Sequence, residues 1–200
     1  MNTIFFDTEF TVLAQNARLL SLALVPDSGP WFYAVCTDED TSGLSAWHQD
    51  NIVPHLPLTE AQLAALPPGK YVRGNRLEVM TALLDFLGGF DKIIMWADVP
   101  AYDWVLFCEL FGGALGLPNN IHYMVRDLAT LLEAKGYDVD TDRFALAYEE
   151  GAAAGAKVSS SDGRVGGQAS AATSEGVLRH NALGDALAGM RCWEKIISRG

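Results

Sequence analysis

Cysteine is scarce: the 200 residues hold three, Cys36, Cys108 and Cys192, and no CxxC pair. An odd number of widely spaced thiols indicates neither a disulfide framework nor a zinc site. All three read as packing residues in a reducing compartment, and the cytoplasm is the expected home. No apolar run approaches the roughly 18 residues that a membrane-spanning helix needs. The opening MNTIFFDTEF has no basic n-region and no small-residue cleavage site, so it does not read as a signal peptide. Basic residues are also short, with 14 Lys and Arg against 25 Asp and Glu, for a net charge of −11. That argues against a protein that holds long nucleic acid on a basic surface. It leaves room for an enzyme that grips a few nucleotides at a strand end, where bound divalent metals supply positive charge. Apolar residues are plentiful: 50% of the chain is hydrophobic and 10% aromatic. This suffices for a proper core, and the length suits one domain spanning 1–200.

Thr3–Phe6, Arg18–Val25 and Trp31–Cys36 are apolar runs, the last two separated by the turn signal Pro26-Asp27-Ser28-Gly29-Pro30. They predict a strand meander. Residues 43–66 are mixed, with short helices and several prolines. Leu77, Met80, Leu83, Leu84 and Leu87 fall at helical spacing between Asn75 and the Gly88-Gly89 stop. Lys92–Ala97 reads as a strand, Ala101–Phe111 as a helix closed by Gly112-Gly113, and Leu128–Lys135 as a helix capped by Asp127 and Gly136. The last helix runs from near Asn181 to about Ser198. Such a meander followed by alternating helices and strands predicts an α/β domain around one mixed sheet. The stretch 151–176 is dominated by Ala, Gly and Ser and reads as a mobile loop just ahead of His180.

Asp7 and Glu9 lie two apart at the end of the first strand, so they point to one face. Two carboxylates on one face repel unless a cation sits between them. Asp38/Asp40 and Asp138/Asp140 have the same spacing, but in polar stretches that read as solvated loops. His180 and Asp185 form an H-x4-D pattern, matched by His122 and Asp127. There the apolar context of His122 and the capping role of Asp127 favour a structural reading. Asp185 lies between Gly184 and Ala186, small neighbours that permit close approach to a sheet or ligand. Asp103 opens a predicted helix, where a carboxylate also favours the helix dipole, and Asp98 competes with it at the strand end.

Taken together, Asp7-Thr8-Glu9-Phe10, Tyr102-Asp103 and His180-Asn181-Ala182-Leu183-Gly184-Asp185 resemble, in chain order, the three exonuclease motifs of the DEDDh superfamily. The blocks Phe6–Phe10, Trp96–Asp103 and Val53–Pro57 look closest to the RNase AS-type 3′–5′ exoribonucleases. The resemblance implies a ribonuclease H-like fold, a mixed central sheet flanked by helices. It implies that Asp7, Glu9, Asp103 and Asp185 hold two divalent ions, Mg²⁺ or Mn²⁺, while His180 takes a proton from the attacking water. The partner implied is the 3′ end of a single strand, RNA favoured, with Thr8, Phe10 and Trp104 as substrate-binding residues and a homodimer as the assembly. Many members of the superfamily carry Asn four residues before the second-motif Asp; here that residue is Val99, as in the RNase AS-type branch. Arg179, Lys157 and Arg164 are further phosphate contacts to weigh against plain solvation.

Three rivals stay open at this point: a DNA exonuclease with the same site, a catalytically silent ribonuclease H-like binding domain, and a metal-dependent phosphatase. Because the chain is acidic, activity is expected to depend only weakly on salt. A steep slope in a KCl titration would instead reveal a basic groove.

Overall fold

The computed structural model describes residues 1–148 and 179–198. The predicted loop 151–176 lies outside these residues. In chain order the elements are β1 (Asn2–Phe10), β2 (Leu19–Pro26), β3 (Trp31–Cys36), α1 (Ala46–Asn51), α2 (Glu60–Ala65), β4 (Gly69–Gly74) and α3 (Arg76–Leu87). Then follow β5 (Ile93–Ala97), α4 (Ala101–Leu110), β6 (Arg126–Asp127), α5 (Leu128–Ala134), α6 (Arg143–Tyr148) and α7 (Ala182–Ser198). The sheet order is β4-β3-β2-β1-β5-β6. β1, β2 and β3 form the expected antiparallel meander, while β4, β5 and β6 pair in parallel with β3, β1 and β5. This is the mixed, helix-flanked sheet of a ribonuclease H-like α/β domain. No described helix is long and apolar enough to cross a membrane.

The alternation of β1 decides what each face of the sheet receives. Ile4 and Phe6 join Val79, Leu83 and Phe107 in a core beneath α3 and α4. Phe5 points the other way, into a second core with Ile52, Leu56, Leu183 and Leu187. α7 packs on β1 and β2 through a run of small buried residues that includes Ala182, Gly184, Ala186 and Ala188. The small neighbours of Asp185 thus allow the close approach expected of them. The three cysteines are buried free thiols.

Three differences from the sequence reading have local causes. β1 continues to Phe10, so Asp7 and Glu9 lie inside the strand rather than at its end. Its pairing with β5 stops at Phe5 while pairing with β2 continues, so one edge of the strand is open beside the carboxylates. β4 carries little apolar signal because most of its side chains are not buried, and backbone pairing to β3 defines it. α6 is one short helix whose apolar side, Leu146 and Ala147, meets α7 only in the tertiary structure.

The start of α7 is pinned by Asn181, which is 2% exposed. Its side-chain oxygen accepts from the N–H groups of Leu183 and Gly184, capping the helix. Its amide donates to the His55 carbonyl at 2.5 Å and to the Tyr33 hydroxyl at 3.1 Å. Asn181→Ala is therefore expected to cost about 2–3 kcal/mol, combining a lost cap with buried acceptors left unpaired. Urea denaturation checks this, and a loss under about 0.5 kcal/mol would show that the pin contributes little.

Candidate active site

Asp7 and Glu9 share the face of Phe5 and meet Asp185 from the first turn of α7. One carboxylate oxygen from each of the three lies within 4.8 Å of the other two. A strand and a helix far apart in sequence thus deliver three hard oxygen donors to one point. Burial pushes all three carboxyl pKa values up, that of Asp185 to about 7. Asp103 adds repulsion on Asp7 and Glu9, and Asp185 does the same. The N–H groups of His180 and Asn181 and the charge of Arg179 partly offset the shift at Asp185. Such a set suits a divalent cation of the Mg²⁺ or Mn²⁺ class, which takes carboxylate oxygens and offsets their repulsion.

Asp103 approaches from the opposite face of the sheet, close enough to repel Asp7 and Glu9. It is buried at the start of α4, and its Oδ1 accepts from the Thr8 N–H at 3.0 Å and the Thr8 hydroxyl at 2.6 Å. Thr8 lies past the last residue that β1 pairs with β5, so its free N–H is available to the carboxylate. The Thr8 hydroxyl is directed to Asp103. Burial raises the Asp103 pKa, with the Thr8 bonds opposing. Asp103 lies outside the group of three mutually close ligand atoms. Its rival Asp98 pairs with Arg143 at 2.9 Å.

The turn between Asp98 and Asp103 is strained. Val99 adopts φ 49 and donates its N–H to Asp127 Oδ1. Asn tolerates that backbone region and a β-branched residue does not, so the departure at Val99 carries a conformational cost.

His180 is half-buried, with φ 58, on the turn that leads into α7. Its ring meets Trp47 edge-on at 5.3 Å, and burial lowers its pKa, aided by the charges of Arg179 and His55. The ring borders an open cavity that Asp185 and Arg179 also line. Phe10 stacks on Tyr102, with centroids 5.5 Å apart. Trp104 packs against Phe6 and Phe107 beneath the sheet. The decoys serve turns and caps: Asp38 accepts from the Arg76 N–H, Asp40 from Ser42 and Asp138 from the Asp140 N–H. Asp127 caps α5 as expected. His122 is exposed at the far end of β5, and its Nδ1 accepts from the Met124 N–H, a structural role.

Trp47 and His48 were not legible beforehand. Register shifts between Glu9 and Phe10, a bulge of the kind that re-aims a side chain. His48 Nε2 lies 3.2 Å from the Phe10 carbonyl and Nδ1 2.7 Å from the Ser45 hydroxyl. A carbonyl only accepts, so Nε2 carries a proton. One turn of α1 thus holds the bulge beside Glu9 through His48 and the ring of His180 through Trp47. A mixed stretch with short helices gives no periodic signal for such a pair.

A family model described as the 3′-5′ exoribonuclease Rv2179c-like domain matches residues 2–197. Two similar proteins are the 3′-5′ exoribonuclease Rv2179c of Mycobacterium tuberculosis strain ATCC 25618 / H37Rv and the 3′-5′ exoribonuclease MT2234.1 of strain CDC 1551 / Oshkosh. Each is 33% identical over 134 residues, which is 66% of this chain and 74% of the relative.

The raised carboxyl pKa values have a thermodynamic consequence. Asp185 binds its proton more tightly in the folded state, so without metal its contribution to stability is lost as pH rises towards and through about 7. His55 and His180, lowered by burial, act in the opposite sense, so variants must be compared. In EDTA, Asp185→Asn is expected to melt near wild type at about pH 5 and above it at about pH 8, with the gap opening as Asp185 ionises. Saturating Mn²⁺ should close the gap. A gap that narrows with rising pH in EDTA would contradict this.

Proposed function

The chain belongs to the Rv2179c-like 3′-5′ exoribonuclease family, and on that premise we propose that it removes nucleotides one at a time from the 3′ end of single-stranded RNA. The products are 5′-mononucleotides, and the site takes two divalent ions, Mg²⁺ or Mn²⁺. The observation that carries this reading is the convergence of Asp7, Glu9 and Asp185 within 4.8 Å of one another, with Asp103 fastened beside them through Thr8. When bound, two such ions would activate a water and stabilise the charge that develops in an in-line displacement.

The side chains supply the rest. Asp7, Glu9 and Asp185 are the ion-holding carboxylates, and Asp103 completes the set from the open edge of β1. Burial keeps the His180 imidazole below its ordinary pKa, hence neutral near pH 7. A ring nitrogen is then free to take the proton of the attacking water. His180 and Asp185 line the same open cavity, which supports reading them as base and ion-holding carboxylate. The stacked Phe10–Tyr102 pair offers an aromatic surface to a terminal base, and such stacking contributes about 1–3 kcal/mol per base.

Asp7→Ala and His180→Ala are expected to reduce trimming of single-stranded RNA at least about 100-fold while circular dichroism stays native. EDTA should stop the wild type and Mn²⁺ restore it. Full activity in either variant, or activity that resists the chelator, would overturn the assignment. A matched DNA oligonucleotide trimmed as fast as the RNA would move the substrate to DNA and leave the chemistry standing.

A further inference from the structure

The turn ahead of α7 carries a cation that the mechanism above gives no task. Arg179 Nη2 donates to both oxygens of the Asp142 carboxylate, each at 2.6 Å. Its guanidinium carbon sits over the Phe144 ring, 4.7 Å from the centroid. Two partners hold the head group in place, yet the side chain keeps 40% exposure. Among the described residues, no hydrogen bond engages its Nε or Nη1. The cavity it borders, of about 540 Å³, also receives His180 and Asp185. Arg143 lines that cavity too, but it is committed to Asp98 and to the Val139 and Thr141 carbonyls.

A strand end brings phosphates to a site crowded with carboxylates, where Asp103 and Asp185 repel the charges of Asp7 and Glu9. A guanidinium with a free N–H edge matches phosphate oxygens in charge and geometry. We infer that Arg179, mounted on Asp142 and Phe144, is a substrate-binding residue that receives a phosphate of the bound strand in the cavity beside His180 and Asp185. The inference rests on the exonuclease reading above and deepens it. The competing role is structural, an ion pair that only ties the turn to α6.

The two roles differ in what Asp142 does. Asp142 Oδ1 caps α6 through the Ala145 N–H, a task Asn performs equally well. Asp142→Asn keeps the cap and an acceptor for Arg179 and removes only the competing negative charge. A phosphate-binding Arg179 then binds RNA more tightly; a tether is merely weakened.

The experiment measures anisotropy of a labelled single-stranded RNA with Ca²⁺ across a KCl series, and steady-state trimming with Mn²⁺. Arg179→Gln keeps an amide for Asp142 and loses the charge. It should raise Kd and KM about tenfold with kcat little changed, and flatten the log–log salt slope by about 0.7, the loss of one single-strand phosphate contact. Arg179→Lys should restore the slope and part of the affinity. Asp142→Asn should lower Kd. Lys92→Gln, one charge removed at the opposite end of β5, should leave the slope alone. An unchanged Kd and slope in Arg179→Gln, or a Kd raised alike by Arg179→Gln and Asp142→Asn, would overturn the inference. RNA binding that depends on Arg179 in a protein that trims nothing would uphold the phosphate site and overturn the exonuclease reading instead.

Discussion

Carboxylates held within 4.8 Å of one another repel, and the architecture around β1 and α7 is what forces them together. β1 is hydrogen-bonded to β2 along its length and to β5 as far as Phe5, so Asp7 and Glu9 cannot swing apart. α7 approaches through Ala182, Gly184 and Ala186, residues too small to keep Asp185 at a distance. Asn181 fixes where the helix begins by joining its cap to Tyr33 and His55. The cost of this enforced proximity shows in the raised carboxyl pKa values. A divalent cation would remove it, so the constraint that burdens the free fold is compatible with a metal site.

The remaining groups are arranged around that cluster by less visible means. Asp103 comes from α4, across the sheet, and is accepted because the β5 pairing ends early enough to leave the Thr8 N–H open. α1 contributes no carboxylate, yet His48 holds the bulge beside Glu9 and Trp47 holds the ring of His180. Arg179 stands on the same turn as His180, fixed by Asp142 and Phe144. In each case a neighbouring contact aims a side chain that its own backbone would leave free to rotate.

Legibility varied with the kind of interaction. Asp7 and Glu9 were readable because a strand repeats every two residues and the apolar run before them marked the core. The polar context of Asp38/Asp40 and Asp138/Asp140 argues against a site, and the carboxylates of Asp38, Asp40 and Asp138 serve turns and backbone groups. The structural reading of His122 fits its hydrogen bond from the Met124 N–H, although its apolar neighbours in sequence leave it exposed. Asp98 and Asp103 were not separable by local pattern. What distinguishes them is Arg143 on α6 and Thr8 on β1, partners distant in sequence. β4 and α6 have no legible signal, because most β4 side chains are not buried and the short α6 buries only Leu146 and Ala147, against α7.

The sequence by itself determined the meander, the long helices, the small-residue start of α7 and the shared face of Asp7 and Glu9. Each follows from local sterics and hydrophobic period, which act over a few residues. Only the tertiary structure decided which carboxylates meet, which acid is neutralised by an arginine, how His180 is held, and that Arg179 stands close enough to act on Asp185. Those outcomes depend on charge and hydrogen bonding across the sheet and between helices, where the partners are set by packing and not by chain order.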